Sequence, residues 1–588
     1  MSTLAVLPPG IVVLAAALVV ALLPRRAGHG LGVLLMLATV AWLAAIPAGV
    51  YLPVEFLGFD AVLFNVDPFS RLMGLIFAFI GAVAVLYSHA TGADSRQTAF
   101  ALAYVGTSLG AVLAGDWLTF VFFVELMGVA STLLVWSHGG PAVRAGFRYA
   151  LWHGLGGSLV LAGVVWHYVE VGSFLFEAAG GIAPGLPAAL FALGFGVNVG
   201  YVGLHVWLPD TYPRPHIAAS VFLCVFTTKT GVYALGRGFP EGHLWLAYMG
   251  GAMAVFGAFT ALLQNDMRRL LSYHIQSQVG YMVAGVGIGT ALATAGAFAH
   301  VFNHILYKSL LFMCAGAIIY RTDTENLKDL GGLWREMPLT AAIFGVAALS
   351  IAGFPGFNGF VSKGMVVTAA HEEHLTALWY ILLLGGVGTF LSFIKFGYYA
   401  FLHGESGHSV TGRELTPGQV VAMGSVALLC IVYGLHPEAL YGLLPGTGAS
   451  EAHPFTVGHV LESLALAAVG LVGFVLLKGP LSRVGRVPDL DALYNRVVFV
   501  GTRELVLGLT RLFAATDRVA VRTTTALSRA ANDPLATVEA ITPAGVVTAR
   551  GARGDEAGQS SLTATTGQAT LLVVAVLVAG LAILFVFA

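Results

Sequence analysis

Residues 300–312 read His300-Val-Phe-Asn-His304-Ile-Leu-Tyr-Lys308-Ser-Leu-Leu-Phe312, and they place three titratable side chains inside a long apolar run. The three lie at i, i+4 and i+8, so they project from one face of one helix. Histidine titrates near physiological pH, and a desolvated lysine approaches that range. A single histidine is more often a satisfied core residue, but three groups in register predict a proton relay.

Lysine is scarce in the chain and concentrated in apolar segments. An ammonium at the centre of a membrane helix costs roughly 2.5–3.5 kcal/mol even on a lenient scale, so it persists where it faces water, a counter-charge or a proton path. Four of the six lysines lie in such runs: Lys229, Lys308, Lys363 and Lys395. Glu125 lies among aromatic residues in Phe120-Val-Phe-Phe-Val-Glu-Leu-Met127 and is a further candidate proton carrier. The alternative for Glu125 is a structural carboxylate that caps a neighbouring helix.

Composition places the chain in a membrane. Of the 588 residues, 57% are hydrophobic and 10% are charged, whereas charged residues make up about a quarter of a typical soluble domain. We count about 16 apolar runs that are long enough to cross a hydrocarbon layer of ~30 Å. The predicted fold class is an all-α polytopic membrane protein.

Several classes of function are excluded at this stage. The net charge is -1 and basic residues form no patch, so no nucleic-acid partner is predicted. The three cysteines lie singly and without CxxC spacing, so no metal site is predicted. The sequence contains neither a GxGxxG motif after a strand nor a P-loop, and no cofactor is predicted.

Basic residues gather in alternate loops, beginning with Arg25 and Arg26, whereas the opposite loops run acidic or neutral. By the positive-inside rule the basic loops are cytoplasmic. We therefore expect a multi-pass protein of the plasma membrane of a prokaryote, with both termini outside. The long loop after Lys478 is then expected in the cytoplasm.

Two apolar runs are interrupted by proline and glycine. The interruptions are Trp207-Leu-Pro-Asp-Thr-Tyr-Pro-Arg-Pro215 and Ala352-Gly-Phe-Pro-Gly-Phe-Asn-Gly359. Each interruption breaks a helix at membrane depth, where unwound backbone is tolerated only if it lines a cavity. A pair of broken helices is typical of transporters built from inverted repeats.

The C-terminal part has a different pattern. From Asp489 to Ala531, arginines alternate with apolar clusters at helical spacing, which predicts an amphipathic helix on the membrane surface. Residues 532–570 are rich in Gly, Ser, Thr and Ala and predict a flexible linker. Residues 571–588 form an apolar run and predict a last transmembrane helix.

Several segments carry a resemblance to a known family. They are Val121-Phe-Phe-Val-Glu-Leu-Met127, His205-Val-Trp-Leu-Pro-Asp210, Thr228-Lys-Thr-Gly-Val-Tyr233, the run from Asp266 to Met282 that contains Tyr273-His-Ile-Gln-Ser-Gln-Val-Gly-Tyr281, and His304-Ile-Leu-Tyr-Lys-Ser-Leu-Leu-Phe312. Together they resemble the proton-translocating antiporter-like subunits of respiratory complex I and of Mrp-type multisubunit Na+/H+ antiporters, most of all the Mrp D subunit. The resemblance covers residues 67–404.

The resemblance implies about 14 core helices, with two inverted repeats of about five helices each and one broken helix per repeat. It implies that Glu125 is the key glutamate, Lys229 the lysine after the first broken helix and Lys363 the terminal lysine of the second repeat. It also implies that the central relay consists of His300, His304 and Lys308, with His274 and Lys395 as accessory candidates. Lys395 belongs either to the proton exit or to a side chain that snorkels to the cytoplasmic interface.

The expected division of the chain follows from the resemblance and the apolar pattern. It consists of N-terminal transmembrane helices (1–96), a first antiporter-like half (97–265), a second antiporter-like half (266–404), C-terminal core helices (405–480), a cytoplasmic surface helix with a linker (481–570) and a last transmembrane helix (571–588).

One position departs from the family pattern. Counting back from His205 places Asn198 where the family usually has a lysine that pairs with the glutamate. Asparagine forms hydrogen bonds but cannot carry a proton. Either Lys229 takes over as the partner of Glu125, or the first half-channel is altered or inactive.

The sequence predicts a proton-translocating subunit of a multisubunit cation/proton antiporter, which works with other membrane subunits and moves H+; whether Na+ or K+ is exchanged for it stays open. We expect a transporter subunit without catalytic chemistry of its own. The alternatives are a proton-pumping subunit of a complex I-type or hydrogenase-type redox complex, a membrane component of an inorganic-carbon uptake complex and a scaffold that no longer conducts.

Overall fold

The architecture comes from a computed structural model, which describes residues 7–176, 178, 180–405, 413–485, 487–534 and 537. The first helices are α1 (Pro9–Leu22), α2 (Arg25–Ala45), α3 (Pro68–Ala90), α4 (Ser95–Val112), α5 (Trp117–Trp136), α6 (Pro141–Val171) and α7 (Leu186–Val199). The next are α8 (Trp207–Thr211), α9 (Ile217–Leu223), α10 (Phe226–Gly238), α11 (Leu244–Leu262), α12 (Met267–Ile288) and α13 (Ala291–Thr322). The last are α14 (Pro338–Ala352), α15 (Asn358–Glu372), α16 (Thr376–Gly397), α17 (Pro417–Leu435), α18 (Glu438–Tyr441), α19 (Val457–Arg483) and α20 (Asp491–Asn532).

The chain is a multi-pass membrane protein. Within the described residues, 10 helical segments are long and apolar enough to cross a membrane, and α1, α7 and α14 are shorter apolar helices. This number is below the about 16 apolar runs in the sequence. Two reasons are that α7 and α14 each end at a break, and that the run 571–588 lies outside the described residues.

The described chain is predominantly helical, as predicted, apart from short strands in one connection. Between α2 and α3 the backbone forms β1 (Gly49–Val50), β2 (Pro53–Phe56), β3 (Phe59–Val62) and β4 (Asn65–Val66). Strand β1 pairs antiparallel with β4, and β2 pairs antiparallel with β3. Leu57 and Gly58 have positive φ angles and make the tight turn between β2 and β3. A loop between two membrane helices can pair its backbone in this way, and strands this short leave no alternating pattern in the sequence.

Both predicted helix breaks are present, but the first lies earlier than expected. Helix α7 ends at Gly200, whose φ of 77° is left-handed, and the chain is non-helical until α8 begins at Trp207. Trp207-Leu-Pro-Asp is thus the start of a short helix, whereas the rest of the predicted interruption, residues 212–215, is non-helical and separates α8 from α9. Pro209 lies in the first turn of α8, where its missing N–H has no intrahelical acceptor to lose.

The second break lies where the sequence placed it. Helix α14 ends at Gly353 with a φ of 84°, and α15 begins at Asn358. The two breaks share this left-handed glycine cap. The arrangement of the helices in two inverted repeats remains a prediction.

Two helices are almost completely enclosed by the others. They are α13, which packs against α12, α14, α15 and α17, and the α9–α10 segment, which packs against α3, α4, α7, α12 and α13. Helix α5 packs between α4 and α6, and α6 packs against α7. Helix α16 packs against α11 and α19. The predicted relay helix α13 therefore lies at the centre of the bundle.

The chain divides into two compact units, Met1–Tyr494 and the part from Asn495 onward. The predicted amphipathic helix is confirmed as a helix, α20, and most of it belongs to the second unit. Its apolar side chains at helical spacing, such as Val497, Leu505 and Leu512, are exposed. Its position on the membrane surface stays a prediction. The linker after residue 537 and the last span lie outside the described residues.

Candidate functional site

The three titratable side chains of α13 are completely buried. His300, His304 and Lys308 each have 0% exposure. His300 lies within hydrogen-bond distance of two hydroxyls, with Nδ1 2.9 Å from Ser362 Oγ and Nε2 3.2 Å from Tyr307 Oη. Both hydroxyls can donate and accept, so His300 lies in a chain of groups that can pass a proton.

The next two groups along the stripe have no fixed partner. Both ring nitrogens of His304 lack a hydrogen-bond partner among the described residues, and so does Lys308 Nζ. The rings of His304 and His300 lie 6.3 Å apart between centroids, and Lys308 Nζ lies 6.0 Å from the centroid of Phe312. Buried polar groups are normally hydrogen-bonded, and the exceptions call for an explanation such as a functional role.

Lys229 extends this set onto α10. Its Nζ donates to the carbonyl of Cys224 at 2.7 Å and to Thr228 Oγ1 at 3.0 Å. The carbonyl is available because the chain departs from regular helix between α9 and α10. Lys229 and Lys308 are both close enough to the Cys224 thiol to interact with it electrostatically.

Lys363 lies at the second break. Its Nζ donates to the carbonyl of Ile351 at 2.8 Å and lies 4.8 Å from the ring centroid of Tyr281. This carbonyl belongs to the last turn of α14. It has no N–H donor within the helix, because the helix stops at Gly353. The break therefore provides the carbonyl that binds the lysine head.

A small cavity of about 30 Å³ adjoins Lys363. Its lining includes two side chains of α19, His459 and Glu462, which the sequence reasoning missed. Gly364 makes room for the His459 ring, and Ser463 Oγ donates to the carbonyl of Gly353 at 2.6 Å. The sequence pattern that could have pointed to them is a histidine and a glutamate three residues apart in an apolar run. The family resemblance ends before α19, so the family pattern does not point to this pair.

Glu125 on α5 lies apart from these amines. It is exposed on the single chain and lines a cavity of about 260 Å³ together with His153 on α6 and Asn198 on α7. The structure therefore brings Asn198 to the glutamate, as the family pattern implied. No ion pair joins Glu125 to Lys229 within the described part of the chain.

The two accessory candidates differ in their surroundings. Lys395 Nζ donates to the carbonyls of Leu262 and Gln264 at 2.8 and 2.6 Å, and thus caps the C-terminus of α11. His274 on α12 is completely buried, and its ring centroid lies 4.8 Å from that of Phe393. His274 is close enough to Lys308 and Lys363 to interact electrostatically with both.

The segment before α20 is bound to the connection between α7 and α8 and to α12. Asp489, whose side chain is 5% exposed, lies 3.2 Å from His205 Nε2 and accepts a hydrogen bond from Tyr273. Burial raises the pKa of this carboxyl, but the hydrogen bonds from the imidazole, the phenol and a backbone amide outweigh it, so the pKa is lowered from its ordinary value of 3.8. Asp489 is therefore a charged anchor of this segment.

Comparison with known proteins places this arrangement in a family. Residues 114–392 match the family model described as NADH:quinone oxidoreductase/Mrp antiporter, TM. The chain is 31% identical over 403 residues to the D subunit of the Na(+)/H(+) antiporter of Alkalihalophilus pseudofirmus, and the match covers 64% of this chain and 80% of that protein. The resemblance noted in the sequence is thereby confirmed.

Two solved structures share the fold. A chain of the Mrp complex from Dietzia sp. DQ12-45-1b has a TM-score of 0.67 and 23% identity, covering 78% of this chain and 99% of that one. A chain of respiratory complex I from Thermus thermophilus has a TM-score of 0.67 and 24% identity, covering 80% of this chain and 99% of that one.

Proposed function

The chain belongs to the NADH:quinone oxidoreductase/Mrp antiporter transmembrane family, and we propose that it is the proton-translocating subunit of a multisubunit Na+/H+ antiporter. The observation that carries the proposal is a row of buried titratable groups in the centre of the bundle. The row runs Lys229, Lys308, His304, His300 and Lys363. Such residues are expensive inside a membrane and mark ion pathways.

The proposed path can be followed from group to group. Lys229 and Lys308 both lie within electrostatic range of the Cys224 thiol, and Lys308 lies one turn from His304 on α13. His304 adjoins His300, and His300 is hydrogen-bonded to Ser362, the residue before Lys363 on α15. The row therefore runs through the centre of the bundle from the α9–α10 junction to the second break.

Proton movement along this row needs groups that can both gain and lose a proton. Lysine, histidine and the hydroxyls of Tyr307 and Ser362 meet this requirement. When one lysine of the row gains a proton, a positive charge on the neighbouring lysine becomes electrostatically more costly. The neighbouring lysine then releases its proton to the next group in the row. The proposed end of the path is the cavity of Lys363, where Glu462 accepts the proton.

The site also supports assembly with other membrane subunits. Glu125 is exposed on a helix face whose other exposed residues are apolar, including Phe122, Leu126 and Val129. A carboxylate facing lipid is costly, so a neighbouring subunit is expected to cover this face. We propose that the complex resides in the plasma membrane of a prokaryote, with both termini of this chain outside, and that H+ and Na+ or K+ are its transported ions.

A redox-driven complex is the second candidate. The chain is as similar to the subunit of respiratory complex I as to that of the Mrp complex, with a TM-score of 0.67 in both cases. In such a complex the same row would be driven by electron transfer in partner subunits.

Cation-dependent dissipation of an imposed pH gradient in everted vesicles tests the proposal. We would compare cells that carry the intact gene cluster with the same cells carrying Lys308→Ala or the control Lys478→Ala, which removes an exposed lysine near the end of α19. Loss of a Na+- or K+-dependent response in Lys308→Ala alone supports the antiporter. Absence of any cation response, together with substrate-driven proton pumping that fails in Lys308→Ala, assigns the chain to a redox complex.

A further inference from the structure

The cavity beside Glu125 contains one other titratable side chain. Of its lining residues within the described chain, only Glu125 and His153 carry ionisable side chains. Asn198 lines the same cavity but cannot titrate. Lys229 is bound to Cys224 and Thr228 and does not line the cavity.

His153 is held rigidly with a free nitrogen. Its side chain is 8% exposed, and its ring lies 4.1 Å from that of Tyr149 and 4.6 Å from that of Trp207 between centroids. By distance and angle its Nε2 has no hydrogen-bond partner among the described residues, and the ring lies close enough to Asn198 to interact with that side chain. An imidazole that is fixed by aromatic rings and keeps one unpaired nitrogen is suited to accept or donate a proton.

The backbone of α6 also brings the carboxyl of Glu125 close to this ring. A Cβ at Gly157 would lie 2.5 Å from Glu125 Cδ and 2.8 Å from Oε2, so the carboxyl occupies the space that any other residue at 157 would fill. Gly157 follows His153 by one helical turn, and residues at i and i+4 are neighbours on a helix face. The carboxyl therefore lies beside the turn that carries the imidazole.

The inner side of the cavity leads to the first broken helix. Trp207, which packs against His153, begins α8 and donates from Nε1 to the carbonyl of Val197 at 2.9 Å. Helix α10 packs against α7 here, since a Cβ at Gly231 would lie 3.0 Å from Asn198 Cβ. Helix α10 carries Lys229, so the cavity adjoins the helix on which the central row begins.

We propose that His153 is the proton-carrying partner of Glu125 and takes the place of the basic residue that Asn198 cannot supply. The inference rests on the proposed function. When the carboxyl of Glu125 loses its proton, the imidazole gains one, which leaves a carboxylate beside an imidazolium. The reverse transfer restores the neutral pair. Asn198 serves as a polar neighbour of this pair, and the first half of the chain remains active.

Proton flux per assembled complex, measured in reconstituted vesicles, tests this pairing. His153→Gln keeps a polar side chain but cannot carry a proton, and we expect flux to fall by about 100-fold. The control Thr132→Val alters another lining residue, whose Oγ1 is bonded to the carbonyl of Gly128 within its own helix, and should leave flux unchanged. Adding Asn198→Lys to His153→Gln returns a basic group to the cavity. The double variant should have about tenfold more flux than His153→Gln.

The outcomes separate this inference from the proposed function. Wild-type flux in His153→Gln, combined with loss of flux in Lys308→Ala, overturns the role of His153 and leaves the proposed function in place. Wild-type flux in Lys308→Ala overturns the proposed function itself. If His153→Gln prevents assembly, His153→Lys takes its place, because lysine also carries a proton. Substantial flux in that variant supports the pairing, and an assembled complex without flux overturns it.

Discussion

A methyl group at position 157 should displace the carboxyl of Glu125 and disable the first half of the transport path. In Gly157→Ala the new Cβ would lie 2.5 Å from Glu125 Cδ. The same Cβ would lie 1.6 Å from Glu125 Oε1. Atoms that are not bonded prefer separations of about 3.5–4.0 Å, so the carboxyl must move by more than about 1 Å. Misplacement of a reacting group by about 1 Å can lower a rate by about 100-fold, and we expect a loss of this order.

The same helix provides a matched control. Gly154 also lines the cavity, but a Cβ there would meet no atom within 4 Å. Both substitutions replace glycine by alanine in a helix interior, which by itself stabilises a helix by about 0.5–1 kcal/mol. Both variants should therefore assemble, and only Gly157→Ala should lose transport.

Cation-dependent proton flux in everted vesicles, normalised to the amount of assembled complex, distinguishes the two variants. The reasoning about Glu125 is refuted if Gly157→Ala transports at the rate of Gly154→Ala and of the wild type. Equal loss in both variants would also refute it, because the structure gives Gly154→Ala no clash.

Three further predictions concern other parts of the structure. Glu462→Gln should lower flux by about tenfold, because the amide cannot accept the proton that leaves Lys363; unchanged flux places the exit elsewhere. Lys395→Gln keeps a donor at the C-terminus of α11 and should retain flux in the same vesicle assay, whereas loss of flux from an assembled complex would put Lys395 on the exit path. The lowered pKa of Asp489 means that its stabilisation of residues 487–491 is present above its unfolded-state pKa of about 4 and is lost as the pH falls through the lower folded-state value. The rate of hydrogen exchange at the Leu490 amide, corrected for its intrinsic rate, should be constant above a pH of about 4 and rise at lower pH. In Asp489→Asn this amide should already exchange faster at neutral pH. A pH profile that Asp489→Asn leaves unchanged would contradict this.

Much of the fold follows from the sequence because the membrane restricts the choices. Apolar runs of sufficient length predict helices, and glycine in Ala352-Gly-Phe-Pro-Gly-Phe-Asn-Gly359 predicts where α14 ends. The sequence pattern misplaces the start of the first break because proline is not always a helix breaker. Pro209 lies in the first turn of a helix, where it is tolerated, and the actual break begins at Gly200.

Spacing alone predicts the candidate site only where its residues share one helix, and the candidates on other helices came from their place in apolar runs and from the family resemblance. His300, His304 and Lys308 lie in register on α13, so spacing alone places them on one face. His153 and Glu462 are single polar residues on other helices, and their closeness to Glu125 and Lys363 depends on how helices distant in sequence pack. The suggested partnership of Lys229 with Glu125 is not present in the structure for the same reason, since Lys229 is bound within its own segment.

The central claim is that the Lys308 amine itself gains and releases a proton during transport. Lys308→Arg keeps the positive charge but cannot release its proton under physiological conditions. The decisive measurement is cation-driven proton flux per complex in vesicles reconstituted with purified wild-type or Lys308→Arg complex. The account predicts an assembled complex in which Lys308→Arg has lost the flux. Wild-type flux in that variant would contradict the relay, because only the charge at position 308 would then matter.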